Sequence, residues 1–366
     1  MKKVVFMITS LQLGGAERVL VDIVNQLKDQ YDITIFTLYG KGEFLSQVDS
    51  KVRCVSFYEE AYDERSKFQK MWTSLIMFFP FLWKTIYHRH IKGQYDVEIA
   101  FLEGPPTWIL SCHGDVKKIA WVHNDLEKTF DGGFKNCWKH YLNKKAYQNY
   151  SQLVFVSRDN QMIFERIYPT LQQEKCVIQN YLDSKRIQSL ARKKVDTSFK
   201  KDAPIFLCIC RLTSQKGLER LIQVHRRLIQ DGYFHRIYIV GDGPLRIELL
   251  NLIDQEKVND TFILLGKKEN PYPYIQDADY FLLASHYEGY GMVVVEAKIL
   301  GKPILITDTA AREAVEGYEN AFIMKNTEEG IYLGMKKVLQ SKIGKGNMKK
   351  YRNDEIIYDI INMIEK

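Results

Sequence analysis

"YFLLASHYEGYGMVVVEAKILGKPILITD", residues 280–308, decides how the rest of the chain is read. The apolar "YFLLAS" has strand length and composition. Glu288-Gly289-Tyr290-Gly291 forms a loop, and "MVVVEAKIL" forms a short helix stopped by Gly301 and Pro303. "PILITD" then returns as a second buried strand, which makes the stretch a strand–helix–strand unit of a parallel sheet. Ligands of such sheets bind beyond the carboxyl ends of the strands, which puts Glu288 at a crevice. The loop glycines allow close backbone approach, and the helix start beside them favours a phosphate. Glu296 is the only charge among residues 292–297, and a buried acid needs a partner. Two carboxylates spread along a groove can accept hydrogen bonds from sugar hydroxyls. A nucleotide sugar has two hydroxyl-bearing rings with a diphosphate between them. The alternative is a surface-loop Glu288 and a solvated Glu296.

The same alternation runs through all 366 residues. "VVFMIT", "ITIFTL", "VEIAFLE", "KIAWVH" and "LVFVS" read as strands before Asn180. "APIFLCIC", "RIYIVGDG", "FILLG", "YFLLAS" and "PILITD" follow a basic stretch, 185–201, with seven Lys or Arg against one Asp. Two runs imply an α/β protein with two Rossmann-like, doubly wound domains facing each other across a cleft. The expected boundaries are 1–184, 185–346 and a terminal helix, 347–366, whose docking stays open.

Composition bounds the rest. Charged residues make up 27%, and the formal charge of +7 is mild. That balance suits an anionic membrane surface or an acidic substrate, and nothing singles out nucleic acid. Six scattered cysteines without a CxxC pair point to a reducing compartment; Cys208 and Cys210 alternate in a strand as core residues. No apolar run reaches the roughly 18–20 residues that span a bilayer, so a cytoplasmic protein is expected.

Upstream, Arg211 and Lys216 in "CRLTSQKGLERLI" sit at a strand's carboxyl end. Two cations there can hold a diphosphate and stabilise it as a leaving group. "VGDGPLR", 240–246, is a further strand–turn–helix junction that reads equally as a tight turn or a ligand contact. "DAD", 277–279, precedes a strand rather than following one, which argues against a D-x-D metal site. No His/Cys cluster has ligand spacing, so no metal or cofactor is expected.

Together, "GDGPLR", R-x4-K, S-x-x-E-G-x-G-x-x-x-x-E-A and "GKPILITD" resemble the retaining GT-B glycosyltransferases with the E-x7-E signature. That family includes bacterial capsular, exopolysaccharide and lipopolysaccharide sugar transferases. The resemblance covers nearly the whole chain and is strongest over 204–313. It implies that Glu288 contacts the transferred sugar and Glu296 the ribose. Arg211 and Lys216 would neutralise the diphosphate, and the backbone of Gly289, Tyr290, Gly291, Met292 and Val293 would cap it. Gly266 and Lys267 would meet the nucleobase. In the N-terminal half it assigns Gly15 of "LGGAERVL" to the diphosphate and His123 of "KIAWVHNDL" to the reacting sugar, with Asp125 as its rival. Glu103 of "AFLEGPPTW" is a further acceptor-binding candidate.

Residues 65–95 hold six Lys or Arg, eight aromatics and no acid. That mixture suits a segment lying on an anionic membrane, or else a core helix with solvated ends. A polyprenyl-diphosphate-linked acceptor would account for the first option. The expected reaction is metal-independent sugar transfer from a nucleotide sugar, a UDP-sugar, to a glycan hydroxyl with retained configuration. A GT-B epimerase or phosphorylase, a glycosidase and a non-catalytic membrane scaffold are the alternatives.

Overall fold

The computed structural model describes residues 1–12, 14–70, 79–112, 114–123, 134–195, 197, 199–341 and 353–366. It divides into two compact units, one of residues 1–182 with 354–366 and one of residues 183–353.

In the first unit, seven described strands form one parallel sheet: β1 (Lys3–Ile8), β2 (Asp32–Tyr39), β3 (Arg53–Tyr58), β4 (Val97–Ala100), β5 (Lys117–Val122), β6 (Gln152–Phe155) and β7 (Glu174–Val177), in the order β3-β2-β1-β4-β5-β6-β7. The second has β8 (Ile205–Ile209), β9 (Arg236–Val240), β10 (Phe262–Gly266), β11 (Tyr280–Leu283), β12 (Ile304–Thr307) and β13 (Ala321–Met324), in the order β10-β9-β8-β11-β12-β13. Every pairing is parallel. Both orders are those of a doubly wound sheet, with the topological switch between β1 and β4 in one and between β8 and β11 in the other.

Central strands are apolar because helices cover both faces. Val4, Phe6, Leu207, Ile239, Leu282 and Ile306 are fully buried. Some edge strands read differently: β3 and β7 are half-exposed and carry no continuous apolar run, while β13 is apolar but only four residues long, so periodicity alone passes over them. The helix Met292–Ile299 contains three consecutive valines, which are poor helix formers, yet Val294 and Val295 are fully buried. Packing decides that element.

The helix Asn353–Glu365 belongs to the first unit. Ile360 and Ile364 are fully buried. Glu365 pairs with Lys2 at 3.0 Å and accepts from Tyr31 Oη at 2.8 Å, and Lys117 donates to the Met363 carbonyl. This helix thus docks beside the starts of β1, β2 and β5.

Within 65–95, residues 71–78 lie outside the described part. Trp83, Ile86, Tyr87 and Ile91 are buried in the first unit's core, and Trp83 stacks on Trp108 at 5.2 Å. Lys84, His88, Arg89 and Lys92 are exposed. No described helix is long and apolar enough to cross a membrane.

Candidate active site

The loop after β8 carries Arg211 and Lys216; the loop after β11 carries Glu288. These strands are neighbours at the switch point of the second sheet, so their carboxyl ends open on the same crevice. Lys216 Nζ stands 2.6 Å from Glu288 Oε1, and Ser285 Oγ donates to the same oxygen at 2.5 Å. Glu288 is only 8% exposed, so its charge is held by two donors rather than by water.

Lys216 ends the turn Ser214–Lys216, closed by Gly217 in the left-handed region at φ 59°. A Cβ there would meet the Ala284 carbonyl at 2.5 Å, so the glycine permits contact between the two loops. Arg211 is exposed, while the backbone around it is zipped to the loop after β9. Cys210 N donates to Val240 O at 3.0 Å and Leu212 N to Asp242 O at 3.0 Å. That explains the G-D-G turn: a Cβ on Gly241 would lie 1.8 Å from Cys210 O, and one on Gly243 2.5 Å from Leu212 O. These glycines are needed for backbone contact, which is a structural account of the turn.

Glu296 lies in the following helix, 9% exposed. Its Oε1 accepts from Tyr272 Oη at 3.1 Å, and the Arg186 guanidinium lies 5.9 Å from the Tyr272 ring. Burial and the neighbouring Glu296 charge both push the Tyr272 hydroxyl well above its ordinary range, so it stays a donor. Gly291 caps the helix at φ 79°, with Ala311 3.0 Å from where its Cβ would be. The N–H groups of Met292 and Val293 begin the helix, where intrahelical acceptors are absent. Gly289 is half-buried and Tyr290 buried. Gly266 ends the edge strand β10 at φ 74° and accepts from Gly241 N at 3.0 Å; Lys267 beyond it is exposed.

The structure therefore brings Lys216 and Glu288 into contact and sets Arg211, Gly266 and Lys267 along the same sheet edge. The sequence reading did not assign Ser285 or Tyr272. Ser285 was visible as the serine three residues before Glu288; Tyr272 left no signal. The D-x-D acids serve the fold. Asp277 accepts from Thr197 Oγ1 at 2.5 Å and pairs with Lys201, while Asp279 accepts from Ile205 N at 2.9 Å. No group of three or more potential metal ligands occurs among the described residues.

In the first unit, the loops after β1, β4 and β5 carry the assigned residues. Gly15 is exposed at the start of the helix Gly15–Leu27. Glu17 folds back so closely that a Cβ on Gly14 would meet its Oε2 at 2.1 Å. Arg18 is structural, bonded to Asp22 at 2.6 Å and to Gln47 at 2.5 Å. Glu103 Oε1 accepts from His123 N at 2.6 Å, tying the loops after β4 and β5 together. The His123 ring sits 4.7 Å from Phe101 and stacks 6.0 Å from Trp121. Burial pushes this imidazole down to about 3. It is a neutral ring whose Nε2 meets no partner among the described residues. Asp125 lies outside the described residues.

Comparison with known proteins bears on the fold and the enzyme class. Residues 191–354 match the model of glycosyl transferases group 1. The chain is 24% identical to the N-acetylgalactosamine-N,N'-diacetylbacillosaminyl-diphospho-undecaprenol 4-alpha-N-acetylgalactosaminyltransferase of Campylobacter jejuni, over 99% of this chain and 97% of that protein. An uncharacterised glycosyltransferase of Methanocaldococcus jannaschii is 28% identical over 56% of this chain; the match spans 52% of that relative, about half its length. Among solved structures, Anabaena HepE in complex with UDP and glucose superposes with a TM-score of 0.76 at 16% identity, covering 100% of this chain and 99% of that one. The chain is a glycosyltransferase with the GT-B fold, and residues 191–354 carry its group 1 family match.

Proposed function

We propose that the enzyme moves a sugar from a UDP-sugar to a hydroxyl of a glycan carried on polyprenyl diphosphate, in the assembly of a bacterial surface polysaccharide. The observation that carries this reading is the buried Lys216–Glu288 pair at the switch point of the second sheet. A carboxylate held between a lysine and a serine has a fixed direction and spare lone pairs for sugar hydroxyls. Lys216 and the exposed Arg211 supply cations for a diphosphate. The first N–H groups of the helix Met292–Ile299 add donors beside them. Glu296, oriented by Tyr272, takes the ribose hydroxyls, and Gly266 with Lys267 borders the base. The name of the Campylobacter relative, which prints a diphospho-undecaprenol acceptor, and HepE, solved with UDP and glucose, support the two ends of this assignment.

The chemistry is a displacement at the sugar's anomeric carbon with retained configuration. The bond from that carbon to the leaving phosphate oxygen breaks as the bond to the acceptor oxygen forms on the same face. The acceptor's proton passes to the departing phosphate, so no protein base is consumed. His123, held neutral, positions a reacting hydroxyl rather than removing its proton. Gly15 is assigned to the donor's diphosphate, and Glu103 and Asp125 to acceptor binding. A lipid-linked acceptor brings the enzyme to an anionic membrane, where the exposed Lys84, Arg89 and Lys92 add about 1 kcal/mol each.

Incubating the protein with UDP-glucose, UDP-N-acetylgalactosamine and a polyprenyl-diphosphate-linked glycan tests the proposal. A product one sugar longer with the donor's anomeric configuration is expected. An inverted product refutes the mechanism, and donor epimerisation without acceptor refutes the transferase reading.

A further inference from the structure

We propose that Arg220 and Asn326 form a clamp that positions Glu288 for the sugar; this rests on the role given to Glu288 above. Strand β11 ends at Leu283, so the carbonyls of Ala284, Ser285, His286 and Tyr287 lie beyond its last residue. Of these, the Ala284 and Ser285 oxygens belong to fully buried residues, where an unpaired carbonyl is costly, while His286 is exposed. Here each of the four is met by a side chain. Arg220 Nη2 donates to Ala284 O at 2.7 Å and to Ser285 O at 3.0 Å, and Thr307 Oγ1 donates to Ser285 O at 2.6 Å. Asn326 Nδ2 reaches His286 O at 2.8 Å, and Gln215 Nε2 reaches Tyr287 O at 3.0 Å. Four residues from separate parts of the unit thus dictate the path of the chain into Glu288.

Within that set, Arg220 and Asn326 act together. Arg220 Nη2 also donates to Asn326 Oδ1 at 2.7 Å, which fixes the amide so that its nitrogen faces His286 O, two residues before Glu288. Arg220 is only 8% exposed, and these acceptors are uncharged oxygens rather than a carboxylate. With Nε also donating to Ala284 O at 3.2 Å, the planar fork serves three acceptors at once in a way that a lysine does not. Gly217 leaves the room: a Cβ there would lie 2.7 Å from Arg220 Nε. The carboxylate assigned to the sugar is therefore aimed through the backbone that leads to it rather than by a contact with its own oxygens.

The test measures kcat for UDP release from UDP-N-acetylgalactosamine with a polyprenyl-diphosphate-linked glycan, alongside the Kd for UDP, in wild type, Asn326→Ala, Arg220→Lys and Glu288→Gln. A positioning role predicts that Asn326→Ala and Arg220→Lys bind UDP within about twofold of wild type. Their kcat falls about tenfold or more, since small misplacements of reacting groups cost that much. The clamp is overturned if kcat in both stays within twofold of wild type while Glu288→Gln is inactive. It is equally overturned if UDP affinity and kcat fall in parallel or both variants fail to fold, because either result makes the pair structural. An active Glu288→Gln overturns the role of Glu288 itself, and the clamp with it.

Discussion

Lys216 and Glu288 form an ion pair at 2.6 Å with side chains 16% and 8% exposed, and they come from loops on either side of a topological switch point. Breaking such a pair from one side leaves a buried charge uncompensated, which costs about 3–5 kcal/mol. Lys216→Met should therefore destabilise the second unit more than the double variant Lys216→Met/Glu288→Leu does. Chemical denaturation of the two variants checks this; equal losses would mean that the pair is not coupled.

Tyr272→Phe removes the hydroxyl that donates to Glu296 Oε1 at 3.1 Å. A hydrogen bond to a charged group contributes about 1.5–3 kcal/mol, so UDP affinity should fall roughly ten- to hundredfold. Calorimetric titration with UDP measures it. Unchanged affinity would remove Glu296 from the ribose assignment.

His225 and His235 form a buried hydrogen-bonded chain away from the candidate site. His225 Nδ1 lies 2.8 Å from His235 Nε2, His225 Nε2 lies 2.9 Å from Thr261 Oγ1, and His235 Nδ1 lies 2.8 Å from the Tyr233 carbonyl. Phe206 and Phe262 flank the rings. Burial pushes His235 down to about 4 and His225 well below its ordinary range, where its neighbour adds to the effect. Both are neutral when folded, while the unfolded chain binds protons below about pH 6.5. Their contribution is thus complete above that pH and is lost as pH falls toward 4. The melting temperature should drop across this window, and His235→Phe should flatten the drop.

His123 is held neutral by burial, at about 3. The rate should show no inflection from this residue between pH 5 and 8. Histidine NMR resonances recorded over that range check it directly. A ring that titrates near 6 would contradict the neutral, positioning role.

Much of the fold and part of the candidate site are legible in the sequence. "YFLLAS", the glycine loop and "MVVVEA" gave strand, turn and helix because their apolar runs are the parts that two covered faces demand. Arg211, Lys216 and Glu288 were legible because charges directly after buried strands stand at a sheet's carboxyl edge. Arg220 was not: one arginine in "LERLI" reads as a solvated helix face, and only the fold brings Ala284, Ser285 and Asn326 to it. Tyr272 hid among four aromatic and proline residues whose burial gave no hint of Glu296. In the aromatic stretch 65–95, Trp83 and Tyr87 pack in the core, a burial that their mixture with Lys and Arg did not reveal. Edge strands β3 and β7 left no such signal because one open side removes the need for an apolar run, and β13, although apolar, is only four residues long.

The proposed function requires the second unit to hold a nucleoside diphosphate sugar between Glu288 and Glu296, with Arg211 and Lys216 on its phosphates. Thermal melting with UDP tests it most directly, in wild type and in Arg211→Ala, Lys216→Ala and Glu296→Gln. At a hundredfold excess over Kd, UDP should stabilise the wild type by about 2.7 kcal/mol, with most of that gain lost in each variant. A protein whose melting UDP leaves unmoved, or whose variants gain as much as the wild type, would contradict the account.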